Sequence, residues 1–204
     1  MKIAVIGAGN VGGALGKLWA AKGHEVTFGL RDPQSPKHRE LGRVASVKDA
    51  VASSDVVVLA VPWGGAEEAI RAAGDLKGKV VIDAINPLKP DLSGLTLGAD
   101  TSAAEEIARW AKGAKVVKAF NTIGAANFSN PHFGSERASM FICGDDAGAK
   151  ATAGQLAAEL DFDVVDSGPL IGARWLEPMA VLWIYLAYQG GLGPTGHAFK
   201  LLRR

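Results

Sequence analysis

The run KIAVIG (2–7) leads straight into GAGNVG, with glycines at positions 7, 9 and 12, and a helix-like segment follows at once. A β-branched strand, a G-x-G-x-x-G turn and a helix in that order leave few folds open, because each glycine has a separate task. Gly7 permits the tight turn. Gly9, with no Cβ, lets backbone approach a pyrophosphate. Gly12 lets the helix lie close to the strand. An anion then meets the free N–H groups at the positive end of a helix. The plain alternative is a glycine-rich turn that binds nothing, since 26 of the 204 residues are glycine.

Beyond the loop, apolar strand-like runs alternate with helical ones. Val11, Leu15, Leu18 and Trp19 share one helical face over 10–22. Strands are expected at 25–30, near 43–45, at 55–62, 79–87 and 114–121, in ASMFICGDD and in DFDVVDSG. Between them lie SVKDAVASS, with Ser46 as N-cap, GGAEEAIRAAG, SAAEEIARWAKG, with Gly113 as its stop, and AGAKATAGQLAAEL. Residues 86–100 read as a Pro/Gly-rich loop, and an irregular stretch runs from 122 to Arg137. The strand runs are apolar throughout, as a sheet covered on both faces requires. The expected fold is α/β: a Rossmann-like, doubly wound, mainly parallel sheet with a short C-terminal helical segment. Residues 1–168 form the nucleotide-binding domain, and 169–204 complete the second ligand's pocket and supply a dimer contact.

About 20 residues beyond the glycines lies the group that reads the adenosine ribose. Here it is Leu30-Arg31-Asp32. An NAD site needs a strand-end carboxylate, and Leu30 cannot provide one. Arg31 can fork onto a 2′-phosphate, and Lys37 and His38 add positive potential in the same loop. Asp32 precedes Pro33 and shapes the turn. The reading is NADP, against the alternative that Arg31 is a solvated surface charge.

Net charge is +1, which gives no electrostatic case for nucleic acid or an anionic membrane. Cys143 is the single cysteine, so there is no disulfide framework and no cysteine metal site, and a reducing cytoplasm is the simplest compartment. The opening MKIAVIGAG is too short and glycine-rich for a signal peptide. In WLEPMAVLWIYLAYQGG the uninterrupted apolar run, Met179 to Tyr188, falls short of the ~20 residues of a membrane span, so a buried helix is expected. It is apolar all round, which asks for a second cover and points to a homodimer.

Six blocks recur in order: KIAVIGAGNVGGALG, FGLRDP, VVVLAVPW, VVKAFNTIGAANF, FICGDD and VVDSGPLIGAR. Together they resemble the NADPH-dependent reductases of the deazaflavin coenzyme F420. They resemble equally the oxidoreductase domain of the STEAP metalloreductases, whose acceptor is a flavin. The resemblance covers almost the whole chain, including GLGPTGHAFKLL. It implies that Asn10 and Val11 join the glycines at the pyrophosphate, that Arg31 holds the 2′-phosphate, and that Lys37 assists. It implies that Val61, Pro62 and Trp63 flank the adenosine side or the nicotinamide ribose, and that Asn86, Pro87 and Leu88 line the nicotinamide. Asn121, Thr122, Ile123, Gly124 and Ala125 would form the floor under the second ring, with space left above Gly124 and Ala125. Deazaflavin reductases often carry His-Thr-Ile-Pro there. The Phe120-Asn121 form is closer to the metalloreductases, so F420, FMN and FAD all stay open as acceptors.

The implied reaction, a hydride passed between two flat rings, needs close placement and exclusion of water, with no protein nucleophile. The sequence carries no convincing Ser-His-Asp or metal constellation. His132 could bond a ring carbonyl, though a lone loop histidine is more often a surface residue. His24 and His38 read as surface turns, and His197 is undecided. Cys143 reads as inert core, and Trp63 as a ligand stack or as core. Two rivals remain: a non-catalytic NADP sensor, and a reductase of a small imine or carbonyl. Relatives of the second kind carry a large helical domain for which the roughly 35 residues after the last strand leave no room.

Overall fold

The computed structural model describes residues 1–98 and 100–204; residue 99, within the expected 86–100 loop, lies outside the described residues. In chain order the elements are β1 (Lys2–Ile6), α1 (Asn10–Ala21), β2 (Glu25–Leu30), β3 (Val44–Ser46), α2 (Val47–Ala52), β4 (Val56–Leu59), α3 (Ala66–Ala73), β5 (Val80–Asp83), α4 (Ala103–Trp110), β6 (Lys115–Lys118), β7 (His132–Phe133), β8 (Glu136–Arg137), β9 (Ser139–Gly144), α5 (Ala147–Ala158), β10 (Asp163–Asp166) and α6 (Ala173–Tyr188). Eight strands form one sheet in the order β10-β9-β6-β5-β4-β1-β2-β3. This is the expected Rossmann-like, doubly wound arrangement, with the order reversing beside β1.

All-apolar strands still obey a period of two. Ile3 and Val5 of β1, with Val56 and Val58 of β4, face a core that also holds Leu15 and Trp19 of α1 and Leu156 of α5. Ala4, Ile6, Val57 and Leu59 face the opposite core, filled by Val51, Ile70, Ile107 and Leu176 from α2, α3, α4 and α6. Ser46 caps α2 by accepting from the Asp49 N–H, and Ser102 caps α4 from Glu105 in the same way.

Three features differ from the sequence expectation. First, β9 runs antiparallel to β6, and β10 parallels β9. The chain leaves β6, makes the short β7–β8 hairpin inside the stretch expected to be irregular, and re-enters from the other end. Periodicity reports burial, not strand direction, so the reversal left no mark in the pattern. Second, α6 is not a buried helix: Trp175 is 66% exposed, Tyr185 53% and Tyr188 65%. Third, the helical stretch Leu170–Tyr188 is 19 residues, long and apolar enough by length and composition to cross a membrane, with 44% of its apolar 18-residue window buried. The shorter count from Met179 stopped at Glu177 and Pro178, whereas the helix runs through both. Glu177 docks it: its carboxylate, 1% exposed, accepts from the Ala103 and Ala104 N–H groups at the start of α4 and pairs with Lys118.

Candidate active site

The glycine turn does what its spacing demands. Gly7 has φ +99°, and a Cβ there would sit 2.5 Å from the Ala60 carbonyl oxygen. A Cβ on Gly12 would meet the Gly7 carbonyl oxygen at 2.1 Å. At Gly9 an added Cβ would find no atom within 4 Å. The end of α1 is therefore open. No side chain caps it, and its first turn holds no acid. A pyrophosphate fits that cradle in space and in sign.

Two cavities flank this turn. The first, about 590 Å³, is lined by Gly7, Gly9, Leu30, Arg31, Val61 and Pro62, with Asp32, His38 and Glu68 at its polar side. The Arg31 side chain is 84% exposed, and Glu68 Oε2 lies 3.7 Å from it. Lys37 is exposed and absent from this lining, whereas His38, read as a surface turn residue, contributes to it. The short turn Pro36–His38 rotates one of the two adjacent residues inward. Trp63 is absent too: its ring stacks on Trp110 at 5.3 Å and 24°. Of its two sequence readings, the structure shows the packing one.

The second cavity, about 650 Å³, lies on the other side of α1's first turn. Asn10, Val11, Asn86, Leu88, Asn121, Ile123, Gly124 and Ala125 line it, together with Ala180, Trp183, Ile184 and Tyr188 of α6. Pro87 and Thr122 are buried behind the lining. The expected space above Gly124 is not there. The Trp183 Cη2 lies 2.3 Å from the position a Gly124 Cβ would take, so the glycine admits an indole of this chain. The α6 side chains escaped the sequence reading, although a helix apolar on all sides was the signal for them. Phe120 turns the chain out of β6 with φ +61°. That is an uncommon conformation for a bulky residue and costs about 1–3 kcal/mol.

Beneath this cavity three charges are buried together. Lys118 Nζ lies 2.7 Å from Asp83 and 2.8 Å from Glu177, and it donates to the Ile85 carbonyl at 2.5 Å. Asp83 in turn accepts from the Ile85 N–H at 2.8 Å. The turn leading to Asn86 is thus held at both backbone groups of one residue. Burial pushes both carboxyls above their usual range. Burial alone would lower the Lys118 ammonium, but the two carboxylates beside it outweigh that and hold it up. Asn86 and Asn121 exchange hydrogen bonds above this triad, and Asn121 Nδ2 also donates to the Leu176 carbonyl of α6. The buried Asn121 Oδ1 has no partner.

Of the remaining candidates, His132, His24 and Cys143 lie outside both cavity linings. His132 is 46% exposed and 3.9 Å from Asp161. His24 is not a loose surface residue: its ring is 8% exposed and bonds Glu159 at 2.6 Å. Burial pushes the Cys143 thiol up to about 12, so it is inert at neutral pH. His197 stacks on Trp183. Among the described residues there is no cluster of three or more metal-ligating side chains.

An open glycine cradle on a doubly wound sheet, between two cavities, defines a dinucleotide-binding protein. The family description "NADP oxidoreductase coenzyme F420-dependent" matches residues 2–87. A crystal structure from Arthrobacter sp. FB24, provisionally assigned as an F420-dependent NADP reductase, superposes over 100% of both chains with TM-score 0.90 and 35% identity. Metalloreductase STEAP3 of Rattus norvegicus is 31% identical over 179 residues, 86% of this chain and 36% of that protein. The chain spans about a third of the length of the curated relatives it matches. A reductive aminase from Aspergillus terreus, at 20% identity and TM-score 0.67, covers 94% of this chain and 62% of its own, and shares the fold. The chain belongs to the F420-dependent NADP oxidoreductase family.

Proposed function

We propose that this protein transfers a hydride between NADPH and a flat flavin-type ring, the deazaflavin F420 or FMN/FAD, in the cytoplasm. One observation carries the reading. The cavity beside Asn10 and Val11 is walled by amides, aliphatic groups and aromatics, and among the described residues Tyr188 at its rim is its one ionisable side chain. Reduction of a small imine or carbonyl needs a proton delivered where charge develops. A flavin-type ring spreads that charge over its own heteroatoms and leaves as a stable anion, so this wall suffices.

When bound, NADPH supplies two electrons and a proton as hydride, which the acceptor ring takes, leaving NADP⁺. The chain's residues position and shield. Gly7, Gly9, Asn10, Val11 and Gly12 would hold the pyrophosphate across the end of α1. Arg31 would hold the 2′-phosphate, with His38 nearer than Lys37. Val61 and Pro62 would border the adenosine half. Asn121 Oδ1, buried without a partner, suits a carboxamide N–H. Asn86, Leu88, Ile123, Gly124 and Ala125 would line the ring site and exclude water. Residues 1–168 would carry the nucleotide, and 169–204 the outer wall. The exposed Trp175, Leu182, Tyr185 and Tyr188 of α6 suit a second copy of the chain, which would also cover the Tyr188 rim.

The test is steady-state oxidation of NADPH with F420, FMN, FAD and a cyclic imine in parallel. Turnover with a tricyclic ring and none with the imine is expected. Imine turnover alone overturns the reading, and binding of NADPH without any turnover favours a sensor.

A further inference from the structure

His197 lies flat on Trp183, with ring centroids 4.8 Å apart and 17° between planes. Its Nδ1 faces the Gly193 carbonyl at 3.2 Å and its Nε2 faces the Trp183 carbonyl at 3.1 Å. Trp183 returns a bond from Nε1 to the His197 carbonyl at 3.3 Å. Carbonyl oxygens only accept. A neutral imidazole has one N–H and satisfies one of them, while an imidazolium satisfies both. A charged ring on an indole face gains a cation–π attraction as well.

This pair shapes the acceptor cavity. Trp183 and Pro194 both line it, and both press on Gly124: an added Cβ there would meet the Trp183 ring at 2.3 Å and the Pro194 oxygen at 3.1 Å. Asn127 Nδ2 ties the same Pro194 carbonyl to the floor at 3.2 Å. The tail segment 193–197 is thus a strap across the cavity, and His197 is its fastening to α6.

We propose that His197 is a positioning residue for the acceptor: as an imidazolium it clamps Trp183 and the 193–197 strap into the cavity wall, and loss of its second proton loosens that wall. The ionisable groups on the elements around it leave the ring alone. On α6 these are Arg174, paired with Glu105, Glu177, paired with Lys118, and the exposed Tyr185 and Tyr188. On the tail Lys200 pairs with Asp163 and Glu136. The turn Ala125–Asn127 carries none. Among the described residues, the histidine–carboxylate contacts within 4.0 Å are those of His24 and His132.

The proposal rests on the acceptor reading above, so its test has one arm that needs turnover and one that does not. In the first arm, acceptor KM and NADPH Kd are measured from about pH 6 to about pH 8.5. Acceptor KM should rise about fivefold with pH, the worth of one ordinary hydrogen bond, while NADPH Kd stays level. His197→Phe keeps a stacked ring without donors and should give the high-pH KM throughout. A flat native profile, or a slope that survives in His197→Phe, overturns the proposal. In the second arm, ¹H–¹⁵N spectra of the native protein follow the His197 ring, assigned by its loss in His197→Phe. An imidazolium pattern at the acid end that gives way at the pH where acceptor KM rises supports the clamp. A ring with one N–H across the whole range overturns it. If no flavin or deazaflavin is reduced, the function reading fails by itself, and the ring spectrum alone decides: an imidazolium pattern supports the clamp, and a single N–H overturns it.

Discussion

The Trp183 Cη2 lies 2.3 Å from where a Cβ on Gly124 would be, so one residue's missing side chain is the seat of another's ring. Gly124→Ala must therefore displace the indole. Overpacking of this kind costs about 1–3 kcal/mol of stability. Acceptor KM should rise while NADPH Kd holds, because Gly124 lines the acceptor cavity and not the one beside Gly7, Gly9 and Arg31. Calorimetry and two binding titrations check this. Unchanged acceptor kinetics would mean that the indole does not form the ring's wall.

Gly9 and Gly12 should separate binding from folding. An added Cβ at Gly9 meets nothing, so Gly9→Ala should melt like the native protein yet bind NADPH at least about tenfold more weakly, because the pyrophosphate needs that space. At Gly12 the added Cβ meets the Gly7 carbonyl oxygen at 2.1 Å, so Gly12→Ala should lower the melting temperature as well. Native-like NADPH affinity in Gly9→Ala would remove the cradle from the account.

Arg31 sets the nucleotide. Arg31→Ala should cost NADPH about 1.5–3 kcal/mol of binding, the worth of a charged fork to phosphate, and leave NADH nearly unchanged. Paired titrations decide it. Equal losses for both nucleotides, or a native preference for NADH, would show that the exposed arginine is a surface charge.

The Lys118–Asp83–Glu177 triad gives a stability prediction with a definite sign. Burial raises both carboxyls, so the folded protein holds a proton that the unfolded chain releases. Stability should therefore fall as pH climbs from the ordinary carboxylate range through the raised folded values. Glu177→Gln should flatten that fall in urea melts run at several pH values. Lys118→Met leaves two buried acidic groups without their cation and should cost about 3–5 kcal/mol at neutral pH. A steeper fall in Glu177→Gln would reverse the assignment.

The fold was legible because strand runs, glycine spacing and caps such as Ser46 are local signals. The direction of β9 was not, since a strand reads the same both ways when both faces are buried. In the nucleotide half, Leu30 and Arg31 could be read from their distance to the glycines. Which of Lys37 and His38 turns inward depends on one short turn, and Trp63 depends on Trp110, a partner 47 positions away. In the acceptor half, the NTIGA run was visible but its covering was not. Trp183 and Pro194 press on Gly124 from 59 and 70 positions further along the chain, and no spacing rule links them to it.

In the proposed reaction, hydride passes from NADPH directly to a flat ring. The measurement is a single turnover with NADPH carrying deuterium at its transferring C4 position and the deazaflavin F420 as acceptor, followed by mass analysis of the reduced ring. That ring accepts at carbon, so the label cannot wash out into water. Deuterium in the reduced deazaflavin and a primary isotope effect on its formation are expected. Reduced deazaflavin without label, or no NADPH oxidation by any flavin or deazaflavin, would contradict it.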